Sequence, residues 1–157
     1  MGKVKIGYQL YSAREECAKD LGAVLAQLKK LGYEGVEFAG FYGHTAEEIA
    51  ALLKEHGLAA FSDHVPLRAI REDMFGVIAD HIKIGCKHIV IPYLEDADRP
   101  GQPGFADVLR VIAKFGALCR EAGITLLYHN HDFEFEKLSG MYALDLAITR
   151  STSAKPG

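Results

Sequence analysis

The chain has 157 residues, 49% of them hydrophobic and 25% charged, with a formal charge of −3 when the histidines are neutral. This is the balance of a soluble globular domain long enough to bury a core, and it offers no electrostatic pull toward nucleic-acid phosphates. No apolar run approaches the ~20 residues of a membrane-crossing helix, and Cys17, Cys86 and Cys119 are too few and too scattered for a disulfide frame or a zinc knuckle, which points to reduced thiols in a cytoplasmic protein.

The N-terminus enters a strand directly, Val4–Tyr11, with no signal-peptide apolar segment before it. Ser12 and Glu15 form a capping-box pair that predicts a helix over 13–31. Its apolar stripe is Leu21, Val24, Leu25, Leu28 and Leu31. Gly32 ends that helix and a strand follows, Tyr33–Ala39. A second capping box, Thr45 with Glu48, opens a helix over 45–56, closed by Gly57 and followed by a strand over Leu58–Val65. The next helix spans 67–84 with Ile70, Met74, Ile78 and Ile82 on one stripe; Gly85 closes it before the strand Cys86–Tyr93. Asp98–Gly104 is a turn-rich loop. A helix over 104–122, Gly123 and a strand over Ile124–His131 complete the pattern, and a further helix is expected to begin near Met141. The small polar tail Ser151–Gly157 reads as frayed and lacks the apolar strand the pattern calls for next.

Strands alternating with helices build βαβ units, an α/β protein with a parallel sheet. Two architectures share this count of elements. One is a flavodoxin-like doubly wound sheet, complete at this length; the other is the first five βα units of a (β/α)8 barrel, which needs ~250 residues in full. Residues 1–157 form one domain in either case, and in both the chemistry gathers at the carboxyl ends of the strands.

The polar residues at those ends are Gln9, Tyr11 and Ser12; Glu37; Asp63 and His64; Tyr93 and Glu95; and the run Tyr128-His129-Asn130-His131-Asp132-Phe133-Glu134-Phe135-Glu136. Alternation along a strand sends His129 and His131 to one face and Asn130 to the other. Ser12 reads as a helix cap, and His44, His56, His81 and His88 as helix-start or helix-surface residues. The last run is the candidate site. Two imidazoles at i, i+2 followed by a carboxylate suit a polyhydroxylated substrate or a divalent cation (Mn²⁺, Mg²⁺, Co²⁺ or Zn²⁺). Glu134 is the favoured carboxylate there, Asp132 and Glu136 reading as solvated. G-x-S-x-G, G-x-G-x-x-G and Walker motifs are all absent, which leaves covalent-hydrolase, dinucleotide and ATP chemistry without local support.

The segments Ile6-Gly7-Tyr8-Gln9-Leu10-Tyr11-Ser12, Gly32-Tyr33-Glu34-Gly35-Val36-Glu37-Phe38, Ser62-Asp63-His64-Val65-Pro66 and Tyr128–Phe135 resemble the sugar phosphate isomerase/epimerase group of the xylose isomerase-like TIM-barrel superfamily. The resemblance runs in order from residue 4 to about residue 146, and its most specific part is HNH-x-x-EF. It implies a (β/α)8 barrel of which only the first five βα units are present. It also implies a divalent metal, most often Mn²⁺, and isomerisation or epimerisation of a sugar or sugar phosphate by proton transfer through an enediolate. Carried over by position, Glu134 is the expected metal ligand or catalytic base, His129 and His131 contact substrate or orient that glutamate, and Glu37 and His64 line the sugar pocket. The later strands, with their metal ligands and second glutamate, are missing, so the chain reads as a truncated member with impaired activity and an open sheet edge that favours a homo-oligomer. Two other readings compete: a non-catalytic, self-associating fragment that binds metal or sugar weakly, and an endonuclease IV-like DNA-repair enzyme, against which the lack of a basic stripe argues.

Overall fold

In the computed structural model, which describes residues 4–138 and 140–145, the apolar runs form β1 (Gly7–Gln9), β2 (Gly35–Phe38), β3 (Ala59–His64), β4 (His88–Ile91) and β5 (Thr125–Tyr128). These strands are all parallel and lie side by side in chain order. Between them run α1 (Arg14–Lys30), α2 (Ala46–His56), α3 (Leu67–Glu72), α4 (Met74–Ile84) and α5 (Phe105–Glu121). That strand order decides between the two architectures. A flavodoxin-like sheet reverses direction after its first unit, leaving β1 inside the sheet. Here each strand advances the same way, as in a barrel wall. A two-stranded antiparallel hairpin, β6 (Lys137–Leu138) with β7 (Met141–Tyr142), follows β5. No helix among the described residues is long and apolar enough to cross a membrane.

The central strands β2, β3 and β4 bury apolar side chains against helices. Val36, Phe38 and Ala60 pack with Leu21, Leu25 and Leu28 of α1 and Ile49 and Leu53 of α2. Ile89 and Ile91 pack with Ile70, Ile78, Val108 and Phe115. The opposite, concave face carries different chemistry. A Cβ placed on Gly7 or Gly35 would come within 2.6 or 2.5 Å of the Phe61 ring, so glycine on two neighbouring strands makes room for one phenylalanine below the strand ends.

One irregularity orders this face. The β2–β3 register slips between Val36 and Glu37, so that Val36 pairs with Ala60 but Glu37 with Ser62. The extra residue is a β-bulge. It lets Phe61 and Ser62 both face the concave side, after which Asp63 turns outward to the helices and His64 inward.

Several expected elements differ. β1 stops at Gln9, and Leu10–Ala13 is a 3-10 turn around the fully buried Leu10. The helix cap is therefore Ala13, without a side-chain hydrogen bond, and the Ser12–Glu15 capping box does not form. The Thr45–Glu48 box does: Thr45 Oγ1 accepts from Glu48 N–H at 3.2 Å and Glu48 Oε2 from Thr45 N–H at 2.8 Å. Two expected single helices are interrupted by aspartates. Asp20 leaves the helical region at φ −158° and accepts from Ala23 N–H at 2.9 Å; Asp73, at φ −152°, separates α3 from α4 and accepts from Gly76 N–H at 2.8 Å. An aspartate side chain competes with the backbone for the N–H three residues on, and that bond restarts a helix. Leu31 and Ile82, placed on buried stripes by periodicity, are exposed. Met141 lies in β7, and the helix expected near it opens two residues later at Ala143 and runs to Asp145, the last described residue; Ser151–Gly157 lies outside the described residues.

Gly35→Ala places a methyl 2.5 Å from Phe61 Cε1 and 2.6 Å from Ala59 O. Overpacking of this kind costs ~2 kcal/mol, and the urea midpoint should fall with the m-value unchanged.

Candidate functional site

Parallel strands with short crossovers bring their carboxyl ends to one rim, and the side chains that alternation turns inward there meet above Phe61. Gln9, Tyr11, Ala39, Gly40, His64, Pro66, Pro92, Tyr93, His129 and His131 enclose a cavity of about 520 Å³, within the range of small-molecule sites. Tyrosine and proline supply apolar planes; the amide and three imidazoles supply the polar edge.

Glu37 stands behind this lining. Its Oε1 accepts from Gln9 Nε2 at 2.5 Å and its Oε2 from Ser62 Oγ at 2.5 Å. His64 Nε2 lies 3.3 Å from Oε1. Burial pushes the Glu37 carboxyl up, but the Gln9 and Ser62 hydrogen bonds and the His64 and His129 imidazoles outweigh it and hold it below its ordinary value. The group is thus an anion at neutral pH, and it orients its neighbours. A carboxylate only accepts, so Gln9 turns its NH₂ toward Glu37 and leaves its amide oxygen as an acceptor. A proton on His64 Nε2, facing the carboxylate, leaves Nδ1 with the lone pair.

The imidazoles form a row. The His64 and His129 rings meet edge to face at 5.2 Å, and His129 stacks on His131 at 5.0 Å and 10°. Phe133 stacks on the other side of His131 at 5.8 Å and 4°, and Tyr93 meets His131 edge-on at 5.1 Å. Arg99 closes the row from behind. Its guanidinium carbon sits 4.3 Å from the Phe133 ring centre and 5.1 Å from that of Tyr93, and its Nε donates to Leu94 O at 3.3 Å. His131 Nδ1 is buried without a hydrogen-bond partner among the described residues.

The structure brings His64, His129 and His131 into the cavity wall and sets Glu37 one bond behind it. Glu134 takes a different place. It is 2% exposed and outside the cavity lining; Oε1 accepts from Tyr128 OH at 2.5 Å and Oε2 from His131 N–H at 2.7 Å. The carboxylate staples the turn after β5 to the strand before it, and both oxygens are engaged. Burial, then the bond to Glu134, raises the Tyr128 phenol above its ordinary range. Asp63 faces α4 rather than the cavity. His81, expected on a helix surface, is 2% exposed and contacts Asp63; its i, i+3 spacing from Ile78 was the signal. Ser62 and Arg99 were not singled out from sequence, since the bulge recruits one and the fold of the loop after β4 the other.

Among the described residues no group of three or more His, Cys, Asp or Glu side chains is arranged to hold a metal ion. The three wall histidines are spread along a stacked row, and Glu134 is committed to Tyr128 and His131. Among the described residues the donor set does not by itself fit the expected divalent metal.

No family model matches the chain, and no curated protein does. Solved structures do match. A sugar phosphate isomerase/epimerase from Parabacteroides distasonis aligns with 96% of this chain and 62% of its own, at TM-score 0.77 and 22% identity. A family 2 AP endonuclease from Brucella melitensis aligns with 83% of this chain and 58% of its own, at TM-score 0.64 and 15% identity. A xylose isomerase domain-containing protein from Salmonella typhimurium aligns with 98% and 60%, at TM-score 0.67 and 15% identity. The fold is therefore part of the TIM barrel that these structures share, and this chain spans under two thirds of their length. Matches to an isomerase/epimerase and a nuclease alike show that the fold alone does not choose the reaction.

Two outcomes follow from the carboxylates. A carboxyl held below its ordinary value of 4.5 contributes stability that is present above that value and is lost as pH falls through the folded one. The urea midpoint of Glu37→Gln should thus fall less steeply than that of the wild type on the acid side. Tyr128→Phe leaves the buried Glu134 one donor short and should cost ~2 kcal/mol, read from equilibrium unfolding.

Proposed function

We propose that the cavity binds a small polyhydroxylated ligand of the sugar class and that its chemistry is the proton transfer of sugar isomerisation or epimerisation. The observation that carries this reading is the convergence of Gln9, His64, His129 and His131 on one cavity with an ionised glutamate fixed behind them. Sugars offer CH faces for Tyr11 and Tyr93 and hydroxyls for the amide oxygen of Gln9 and the edges of the wall imidazoles. His64 is the base in this scheme: Nδ1 takes the proton from the carbon next to the carbonyl, and Glu37 stabilises the imidazolium that forms, as the carboxylate of a triad does. Return of that proton to the former carbonyl carbon, with the hydroxyl proton of the deprotonated carbon passing to the former carbonyl oxygen, isomerises the sugar; epimerisation instead takes a proton from water on the face opposite His64, and the His64 proton passes to solvent.

The resemblance to metal-dependent relatives has no counterpart in the donor set described above, so no step is routed through a cation. That same observation favours a second reading, ligand binding without turnover.

The test is calorimetric titration of the purified chain with D-fructose, as a representative ketohexose, followed by exchange of its carbon-bound protons with D₂O. Binding within the roughly 1 μM–1 mM span of enzyme KM values supports the sugar reading, and Glu37→Gln should weaken it by about tenfold through misorientation of Gln9 and His64. Proton exchange abolished by His64→Gln supports catalysis; binding without exchange selects the second reading. No binding of the ketohexose or of its phosphate ester would overturn the proposal.

A further inference from the structure

Asp63 and His81 take no part in lining the cavity, yet both are only 2% exposed. Burying two ionisable groups is costly unless each polar atom is satisfied, and here each is. His81 Nδ1 lies 2.7 Å from Val77 O; a carbonyl only accepts, so Nδ1 carries hydrogen. His81 Nε2 lies 3.1 Å from Asp63 Oδ2. A carboxylate also only accepts, so this contact holds a second proton, and the pair as a whole is neutral. The remaining oxygen, Oδ1, accepts from Gly40 N–H at 3.3 Å.

Gly40 and its neighbour Ala39 form one wall of the cavity. They open a loop, residues 39–45 between β2 and α2, that spends much of its length in left-handed backbone: Gly40 at φ 81°, Tyr42 at φ 53° and Gly43 at φ 86°. A tyrosine there is held against its own preference and needs tertiary support. The support is visible. Phe41 packs edge-on against Phe38 at 5.8 Å and tilts over the His81 ring at 6.1 Å.

We infer that the Asp63–His81 pair is the positioning element for this loop: it fixes where Ala39 and Gly40 stand, so a residue of α4 governs ligand affinity without touching ligand. The effect on affinity rests on the sugar-binding reading; the effect on the loop does not.

Asparagine and glutamine in place of His81 separate the two ring nitrogens. Asparagine reaches as far as Nδ1 and loses Asp63; glutamine reaches as far as Nε2 and keeps it. In His81→Asn, amide hydrogen exchange of residues 39–44 should rise about tenfold while the amides of β3 and α4 hold, and His81→Gln should restore protection. D-fructose affinity should follow the same order. Equal exchange in the two variants, or a rise spread evenly over α4 and β3, would mean a merely structural role and overturn the inference. Should His81→Asn not fold, the wild type still decides: a Gly40 amide exchanging as fast as an unstructured peptide overturns the inference, and a protected one supports it. A loop that responds as expected in a chain that binds no ketohexose leaves the inference standing and removes the sugar reading. A chain that binds D-fructose with an unresponsive loop does the reverse.

Discussion

Everything at the mouth of this sheet depends on the one-residue bulge between β2 and β3. With Ala60 packed against the helices, strict alternation would turn Asp63 into the cavity and His64 out of it. The slip between Val36 and Glu37 inverts that. Ser62 comes opposite Glu37 and gives it a hydroxyl, Asp63 reaches α4 through His81, and His64 joins the wall. A bulge costs ladder regularity, which explains why it sits where side chains must be re-aimed rather than in mid-sheet. The floor beneath it depends on glycine rather than on the bulge: Phe61 faces inward because Gly7 and Gly35 leave the space empty.

Three carboxylates near the cavity are used in three ways, and their partners decide which. Glu37 receives the Gln9 and Ser62 donors with two imidazoles nearby, which keep it charged and let it set the orientation of side chains that line the cavity. Glu134 receives a phenol and a backbone N–H, which spend both its oxygens on holding the turn that carries His131. Asp63 receives an imidazole and a glycine N–H on the far side of the sheet. Burial alone would disfavour each anion; the fold supplies donors to each, and the identity of those donors separates orientation of the cavity from support of its walls.

The imidazole row shows a related economy. Stacking holds His129 and His131 parallel with no hydrogen bond between them, and Phe133, Tyr93 and Arg99 back the row from the loops. Rings fixed by packing rather than by polar partners make a flat wall, whereas a metal needs lone pairs converging on a point, and the row offers no such convergence among the described residues.

The sequence by itself determined the element types, the parallel α/β class and the rim where polar groups collect, because these follow from periodicity, glycine at helix ends and the alternation of strands with helices. It also marked His64, His129 and His131, since histidines at the ends of apolar strands are local signals. The breaks at Asp20 and Asp73 escaped that reading because an aspartate on a helix's polar face and an aspartate that restarts a helix look alike in one dimension. Periodicity left a doubly wound sheet and a barrel wall both open; the family resemblance chose the barrel, and the strand order bears that out. Only the tertiary structure decided that Glu134 turns to Tyr128 rather than to the cavity, and that His81 is buried against Asp63. Strand order, register and the partner of a carboxylate are set between segments far apart in the chain, by which buried donors can meet which acceptors, and no local pattern encodes that meeting.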